Sequence, residues 1–503
     1  MTTPELRSPW LDHLESTRTL TTLEGNHSTD IAIVGAGIAG ISTAYFLLKN
    51  TKKRIAIIEA NRVAHGATGH NAGQLVSYFE RPFSDIVREF GSEKAAEGQK
   101  AVESAWDLLE EIYRDLSLKT PLLSFEGYAG CLDLTELIIH LRDNEERAKA
   151  GIDVEPILVS TSFKARRDIP AALKKFYKTV PHKKILTVLQ THDERYVAAI
   201  IGRKGCLNSA QFSEEVVSLL LKRYSKRLFL VERTPVKTVR LYTDSADLLT
   251  GTGVVHAGKV ILCTNGFEHF QIENTLGSNI NGKFHHLVRG SIGYMAAFIE
   301  EPSMPPTAIS YLPAHKKDPS LAYESDPYYY LTRRPYEQHP GQNLICIGGP
   351  ESLLDNTNKY SKIHPYSKRA KKFISDFLKE TYLHTGRRLK YSHLWHGLMG
   401  YTPNGIRCIG TEPCNSVLLY NLGCNGVGIL PSLYGGLRIS QIIRGDVLKP
   451  SIFDPADQRC IIPKRKKGSI PLRQQRSIQQ KTTWSLIALF TAILLYLFLQ
   501  FIA

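Results

Sequence analysis

Short apolar runs on either side of an alanine- and leucine-rich stretch dominate the pattern near the amino terminus. Residues 31–34 and 55–58 are apolar throughout, and residues 38–49 between them are mainly small or aliphatic. Apolar runs of this length are typical of strands that are buried on both faces of a parallel sheet. Residues 30–59 are therefore predicted to form a strand, a helix and a second strand.

Two later segments have the pattern of antiparallel strands. Residues 323–334 (YESDPYYYLTRR) and 342–349 (QNLICIGG) are rich in aromatic and aliphatic side chains, and a segment containing proline and glycine separates them. These two segments are predicted to be neighbouring strands of an antiparallel sheet.

The last residues of the chain, WSLIALFTAILLYLFLQFIA (484–503), contain no charged side chain. As a helix, this segment would come close to the hydrocarbon thickness of a membrane, about 30 Å. Residues 448–483 are rich in proline and basic groups and are predicted to be a linker. We expect residues 484–503 to form a C-terminal transmembrane helix, with the catalytic part of the chain on the cytoplasmic side of the membrane. A buried core helix or a partner helix is the alternative.

The formal net charge is +15, and residues 464–503 supply nearly half of the excess. Residues 164–184 and 359–372 are basic as well. Such stretches are usually solvated surface, and they are also compatible with contact to anionic membrane lipid. No interleaved aromatic pattern accompanies them, so no nucleic-acid partner is expected. The eight cysteines form no CxxC pair, so no metal site is predicted.

The strongest chemical signal is a glycine-rich turn between the first predicted strand and the helix. Glu59 follows at the end of the second strand, about 20 residues later. The glycines allow close approach of a pyrophosphate to the helix amino terminus, and the carboxylate can accept from ribose hydroxyls. A dinucleotide is therefore the predicted ligand of the following residues: Gly35, Ala36, Gly37, Ile38, Ala39 and Gly40.

The residues after Glu59 resemble the D-amino acid oxidase-like family of FAD-dependent oxidoreductases. Residues 59–60 (EA), 66–69 (GATG) and 71–74 (NAGQ) carry this resemblance. The family includes D-amino acid dehydrogenase, glycine and sarcosine oxidases and gamma-glutamylputrescine oxidase. The resemblance covers roughly residues 8–447 and continues in GCLNSAQFSEEV (205–216), KVILCTNG (259–266) and the glycine turn and helix of residues 421–443.

The resemblance implies an α/β (α+β) fold in which a Rossmann-like FAD-binding domain of the glutathione-reductase type is interleaved with an antiparallel-sheet substrate domain. Its implied FAD-binding domain is 28–75, 205–285 and 395–447, and its implied substrate domain is 76–204 and 286–394. Besides the glycine-rich turn and Glu59, the resemblance assigns these residues to FAD: Ala60, Arg62, Gly66, Ala67, Thr68, Asn71, Ala72, Gly73, Gln74, Val236, Thr264, Asn265, Gly266, Gly397, Gly423, Asn425, Gly426, Val427, Gly428 and Ile429.

The attachment of FAD is expected to be noncovalent. His70 lies where some relatives tether FAD through a histidine, but GHNAG (69–73) differs from the Trp-His-Ala-Ala-Gly stretch of those relatives. Covalent attachment through His70 is the alternative.

The segment WHGLMGYTPNGIRCIG (395–410) departs from the family at the place where some members bind a substrate carboxylate. Met399 replaces the arginine of those members, and a thioether cannot form a charge-assisted fork with a carboxylate. Oxidation of simple D-amino acids is therefore in doubt. Tyr329 and Arg407 are open candidates on the substrate side, and a packed aromatic strand with a surface arginine is the alternative around Tyr329. The candidate catalytic residues are Tyr330, Arg333, His396 and Met399.

We therefore expect a membrane-tethered FAD-dependent oxidoreductase that oxidises the C–N bond of a small amine or amino acid. Family chemistry implies hydride transfer to flavin N5 and hydrolysis of the resulting imine, with quinone or oxygen as the electron acceptor. The alternative hypothesis is an FAD-containing assembly factor for a membrane respiratory complex, without turnover. A third hypothesis, modification of a tRNA base, is weaker because no RNA-binding module accompanies the flavin pattern.

Overall fold

Two β-sheets organise the chain in the computed structural model, which describes residues 7–12, 14, 16, 18–301, 304–313, 328–354, 360–382 and 389–456. The strands are β1 His27–Val34, β2 Ile55–Ile58, β3 Gln74–Leu75, β4 Leu122–Cys131, β5 Ile157–Ser160, β6 Lys178–Val180, β7 Ala198–Leu207, β8 Leu228–Val231, β9 Thr238–Leu241, β10 Ala246–Leu249, β11 Val254–Leu262, β12 Gln271–Asn274, β13 Arg289–Glu300, β14 Thr307–Tyr311, β15 Tyr329–Pro335, β16 Asn343–Leu353, β17 Tyr391–Tyr401, β18 Cys408–Thr411 and β19 Leu418–Leu422.

The helices lie on and between these sheets. They are α1 Pro9–Asp12, α2 Ile38–Asn50, α3 Phe83–Phe90, α4 Ser92–Glu103, α5 Ala105–Leu116, α6 Leu134–Lys149, α7 His182–Val188, α8 Ser209–Arg223, α9 Ile280–Leu287, α10 Lys368–Phe377 and α11 Ile429–Arg444. Short 3₁₀ turns occupy Ala67–Gly69, Lys164–Asp168 and Ala171–Phe176, and a π turn, Leu378–Tyr382, follows α10.

The first sheet has a parallel centre, in the order β8, β2, β1, β11, β19. Strands β10, β9 and β12 extend it beyond β11, and β18 pairs with β19. Helices α2 and α11 pack together against this sheet, and a Cβ on Gly436 would stand 2.8 Å from the backbone nitrogen of Thr43. The predicted strand–helix–strand unit over residues 30–59 is confirmed as β1, α2 and β2, because its apolar runs are covered on both faces.

The second sheet is mostly antiparallel and runs in the order β17, β13, β16, β15, β14, β4, β7, β5, β6, with β3 on β7. The predicted antiparallel pair is confirmed for its described residues as β15 and β16, with Leu331 opposite Ile347. Strand β13 lies between β16 and β17, so that Gly293 is opposite both Glu351 and Gly397. This register brings residues from three distant parts of the sequence to one face. The domain boundaries stay a prediction.

The predicted C-terminal transmembrane helix, and with it the single-pass membrane location, needs correction. No helix within the described ranges is long and apolar enough to cross a membrane. The longest helices there, α6 and α11, have 16 residues each, so each spans only about 24 Å. The anchor was placed on residues 484–503, which lie outside the described residues, as do 457–483 of the predicted linker.

Candidate active site

A cavity of about 540 Å³ extends from the carboxyl ends of the central parallel strands to the second sheet. Val34 and Ile58, the last residues of β1 and β2, line it at one end. Gly293, Glu351 and Met399, on β13, β16 and β17, line it at the other end. Ligands of open parallel sheets bind beyond the carboxyl ends of the strands, so this cavity is where the fold predicts a site.

The first end of the cavity is built around the turn between β1 and α2. Gly35 has a φ of +105°, and a Cβ on Gly40 would overlap the Gly35 carbonyl oxygen. The carboxylate of Glu59 accepts the Ala36 N–H at 2.8 Å. Burial raises the pKa of this carboxyl, while the positive charge of Lys362 on the same cavity wall acts in the opposite direction. This end therefore presents close main chain, a helix amino terminus and a carboxylate.

The glycine-rich segment that follows β2 is fixed by hydrogen bonds to its backbone. Thr68 Oγ1 accepts the Ile38 N–H at 2.9 Å, and Trp10 Nε1 donates to the Asn71 carbonyl at 2.6 Å. Gly73 has a φ of +66°, and a Cβ there would stand 2.9 Å from the Trp10 ring. Any larger residue at Gly73 would collide with this ring, so the close packing of Trp10 fixes the path of the segment.

The amino terminus of α11 forms a third part of the wall. Asn425 is held with a φ of +48°, where its side chain accepts the Thr402 N–H at 2.7 Å and its own N–H donates to the Gly400 carbonyl at 2.9 Å. Gly428 and Ile429 line the cavity, and Gly428, the residue before the helix, has no side chain that could accept from the first N–H groups of α11. The first N–H groups of α11 therefore leave a partial positive charge at this wall.

A buried carboxyl group marks the end of the cavity at the second sheet. Ser291 Oγ donates to Glu351 at 2.9 Å, and Tyr401 Oη donates to the same carboxylate at 3.1 Å. A Cβ on Gly293 would stand 2.8 Å from the Met399 methyl group, so this side chain lies beside Glu351. Burial raises the pKa of Glu351 to about 7, because the low-dielectric surroundings disfavour the charged form.

Tyrosines enclose the space around this carboxyl group. Tyr328 and Tyr330 lie with ring centroids 5.6 Å apart, and Tyr78 Oη is 3.4 Å from Tyr328 Oη. Tyr330 Oη donates to Met295 Sδ at 3.3 Å. Glu80 also lines this end, and its charge raises the pKa of Glu351 further. We call this set the tyrosine pocket; its residues are Tyr78, Glu80, Met295, Tyr328, Tyr330, Glu351, Met399 and Tyr401.

A sequence model of the family DAO, described as FAD dependent oxidoreductase, matches residues 30–442. The chain belongs to this family. The predicted resemblance is thereby confirmed, and FAD, the predicted cofactor, is confirmed with it.

Three relatives illustrate what this flavoprotein is similar to. It is 34% identical to the gamma-glutamylputrescine oxidoreductase of Escherichia coli (strain K12) over 74 residues, 15% of this chain and 17% of the relative. Glycine oxidase from Geobacillus kaustophilus superposes with a TM-score of 0.58 at 18% identity, covering 86% of this chain and 99% of that one. L-proline dehydrogenase from P. horikoshii has a TM-score of 0.59 at 15% identity, covering 86% and 97%.

The two kinds of likeness carry different weight. The matches to the first curated relatives span between 15% and 36% of those proteins' lengths. At under 25% identity the structural likenesses establish the fold alone.

The residues present fit FAD. Two helix amino termini, those of α2 and α11, open onto one cavity that is long enough to join them, as a ligand with a pyrophosphate and a polar ring requires. Three polar side-chain atoms in the wall are buried and have no hydrogen-bond partner among the described residues: Gln74 Nε2, Thr264 Oγ1 and Asn265 Nδ2. Buried polar groups are rarely left unpaired, so these atoms indicate a polar ligand.

Most of the residues predicted to bind FAD line this cavity. They are Gly35, Gly37, Ile38, Ala39, Glu59, Ala60, Gly66, Ala67, Thr68, Asn71, Ala72, Gln74, Val236, Thr264, Asn265, Gly397, Gly426, Val427, Gly428 and Ile429. The remaining predicted residues lie outside the lining: Ala36, Gly40, Arg62, Gly73, Gly266, Gly423 and Asn425. Gly40 packs against the Gly35 carbonyl, and Asn425 accepts the Thr402 N–H, so both hold the turns in place without lining the cavity. Direct contact of each residue with FAD stays a prediction.

The four candidate catalytic residues separate into two groups. Tyr330 and Met399 line the tyrosine pocket. Arg333 is 2% exposed and lies outside the cavity lining, where its guanidinium donates to Glu300 at 2.7 Å. His396 also lies outside the lining, and its Nε2 is 3.0 Å from the His364 carbonyl oxygen. Arg333 is thus neither a residue of the cavity lining nor the surface arginine of the packed-strand alternative, because its guanidinium is buried against Glu300.

The open candidates differ in their position relative to the cavity. Tyr329 Oη donates to the Phe373 carbonyl at 3.1 Å, away from the cavity. Arg407 lines the cavity, but Asn421 accepts from its guanidinium through the side chain at 2.6 Å and through the carbonyl at 3.0 Å. His70 lines the cavity with Nδ1 2.8 Å from the Gly66 carbonyl oxygen, and burial lowers its pKa to about 4.

Sequence reasoning missed Glu351, Lys362 and most of the tyrosine pocket. Glu351 comes two residues after the apolar run ICIGG, where a glutamate is ordinary for the end of a strand. No local pattern marks it, because its partners Ser291 and Tyr401 come from two other strands. The available signal was weak: an acidic residue two positions after an apolar run.

Proposed function

We propose that this protein uses FAD to oxidise the C–N bond of a small amine or amino acid. The observation that carries the proposal is the continuity of the cavity: the wall formed by α2, the glycine-rich segment and α11 runs directly into the tyrosine pocket. A substrate in that pocket would lie next to the flavin end of the cofactor. The names of the three similar proteins, which act on gamma-glutamylputrescine, glycine and L-proline, support an amine or amino acid substrate.

FAD, when bound, would supply the hydride acceptor for this chemistry, and the imine left on the substrate would be hydrolysed by water. The chain itself contributes position and charge. The uncapped amino terminus of α11 favours negative charge close to Gly428, and the cation of Arg407, fixed by Asn421, lies in the same wall. The Tyr328 and Tyr330 rings enclose the substrate side and limit the access of water.

Anaerobic reduction of the bound flavin tests this proposal. Flavin-loaded protein would be mixed without oxygen with D- and L-amino acids, N-methyl amino acids and polyamines, and the visible flavin absorption band would be followed. Bleaching by one class of compound is the expected result, and readmitting oxygen or a quinone analogue then identifies the electron acceptor. A flavin that stays oxidised with every compound would contradict the proposal and favour an assembly factor that holds FAD without turnover.

A further inference from the structure

We propose that the tyrosine pocket selects substrates through a cationic amino group rather than a carboxylate, and that Glu351 takes one proton from that group. The inference rests on the proposed function and names the substrate class of the same site. It follows from four features of the pocket: its carboxylates, its aromatic walls, the engagement of the nearby cations, and the surroundings of Glu351.

The pocket contains two carboxyl groups and no basic side chain among the residues that define it. Glu351 is oriented by Ser291 and Tyr401, whose hydroxyl groups occupy part of its hydrogen-bonding capacity. A carboxylate has about four acceptor positions, so room for a further donor remains. Glu80 approaches from the Gly426 side, where a Cβ on that glycine would stand 2.8 Å from Glu80 Cγ. An ammonium group bound to Glu351 would also be stabilised by the negative charge of Glu80, which acts on Glu351.

The aromatic walls favour the same charge. The rings of Tyr328 and Tyr330 are tilted by 38° to one another, and Tyr78 and Tyr401 close the pocket around them. Aromatic faces attract cations by roughly 0.5–2 kcal/mol, depending on how far the cation is desolvated. They offer nothing comparable to a carboxylate, so the pocket favours ammonium over an anion of the same size.

The arginine and the lysine that line the cavity, Arg407 and Lys362, are already engaged. Arg407 donates to Asn421, and Lys362 lies at the opposite end near Glu59 and donates to the His65 carbonyl. Lys204 lies behind the pocket, where its ammonium donates to the Tyr128 carbonyl and to Ser310 Oγ, both at 2.9 Å.

Burial lowers the pKa of Lys204 to about 7. This lysine does not line the cavity. With Met399 at the place where the family's carboxylate-binding members have an arginine, the residues that define the pocket include no basic side chain to pair with a substrate carboxylate.

Proton transfer to Glu351 prepares the substrate for oxidation, because an ammonium nitrogen has no lone pair to form a C=N bond. The N–H bond to one proton breaks, that proton forms the O–H of Glu351, and the neutral amine keeps the electron pair. Burial and the neighbouring Glu80 raise the pKa of Glu351 to about 7, close to the pH at which a general base is most effective. Tyr330 faces the same group, and burial raises its pKa far above neutrality, so it stays un-ionised.

Binding of two matched ligands that cannot be oxidised tests the inference. tert-Butylammonium has no hydrogen on its α-carbon, and pivalate has the same shape with a negative charge. Flavin-loaded protein would be titrated with each by calorimetry and by the change in the flavin spectrum, from about pH 6 to about pH 9, a range that includes the Glu351 pKa of about 7. We expect tert-butylammonium to bind more tightly as the pH rises through about 7, and pivalate not to bind.

Substitutions assign this binding to Glu351. Glu351→Gln is expected to weaken tert-butylammonium binding by roughly tenfold or more and to remove its pH dependence, since a charge-assisted hydrogen bond is lost. Glu194→Gln, at an exposed residue, is the matched control and should bind as the wild type does. Met399→Arg is expected to abolish binding of the cation and to introduce binding of pivalate.

Pivalate binding equal to that of the cation, or unchanged affinity in Glu351→Gln, would overturn the inference. If Glu351→Gln does not retain flavin, the pH dependence of tert-butylammonium binding to the wild type decides alone. An affinity that does not change with pH then overturns the inference. Because neither ligand can be oxidised, these results are independent of flavin reduction. Cation binding without any flavin reduction would remove the proposed function, whereas flavin reduction without cation selectivity would remove only this inference.

Discussion

Replacing Glu351 with glutamine should stabilise the folded protein at alkaline pH, although it removes a functional group. The Glu351 side chain is half-buried, and burial raises the pKa of its carboxyl group to about 7, well above the ordinary value of 4.5. Each pKa unit corresponds to about 1.4 kcal/mol, so the folded state pays roughly 3 kcal/mol to ionise this group at high pH. Glutamine has nearly the same shape and carries no charge, so it removes that cost.

Two effects reduce the expected gain. Ser291 and Tyr401 donate to the carboxylate at 2.9 and 3.1 Å, and the amide retains only one oxygen to accept from them, which costs about 1 kcal/mol. Part of the side chain also faces the cavity, where water solvates the charge. The net gain expected for Glu351→Gln above pH 7 is therefore about 1–2 kcal/mol in the free energy of unfolding.

The sign depends on pH in a defined way. An acid whose pKa is raised on folding contributes most to stability below its unfolded pKa, and that contribution is lost as the pH rises through the folded pKa. The wild type should therefore lose stability between about pH 4.5 and pH 7 relative to Glu351→Gln and run parallel to it above that range.

Urea unfolding of the flavin-free proteins near pH 5 and pH 8 measures this difference, with Glu194→Gln as the control. A Glu351→Gln variant that is less stable than the wild type by the same amount at both pH values would refute the reasoning.

Three further predictions concern the cofactor and the core. Gly40→Ala should lower the flavin-to-protein absorbance ratio, because its Cβ would overlap the Gly35 carbonyl oxygen. The control Gly202→Ala has open space around its Cβ and should bind flavin normally, and equal flavin content in the two variants would contradict the packing argument. Acid precipitation should leave the flavin in the supernatant, and a coloured pellet would instead show attachment, with His70 as the candidate. Arg333→Met should lower the free energy of unfolding by roughly 3–5 kcal/mol, because it leaves the Glu300 carboxylate without its ion-pair partner, and it should leave the affinity for tert-butylammonium unchanged. A variant that keeps its stability and loses that affinity would show that Arg333 acts on the substrate.

Local sequence determined the cofactor side of this protein. The strand, glycine turn and helix over residues 30–59 lie close together in the chain, and their apolar runs and glycines each have a local steric reason. The same holds for the turn before α11, where Gly426 adopts a φ of +82°. Residues close in sequence therefore predicted the strand–turn–helix unit at this end of the cavity, and the resemblance of several short segments predicted the family.

The tertiary structure decided most of the tyrosine pocket, of which the sequence had indicated only Tyr330 and Met399. Glu351 meets Ser291 and Tyr401 only because β13 pairs with β16 on one edge and with β17 on the other, which joins residues 50 or more positions apart. Arg333, which the family resemblance made a candidate on the substrate side, donates instead to Glu300. Each side chain's role here depends on which strand lies beside it and on which face is buried. Non-local pairing sets both, and the composition and spacing of a single segment cannot specify them.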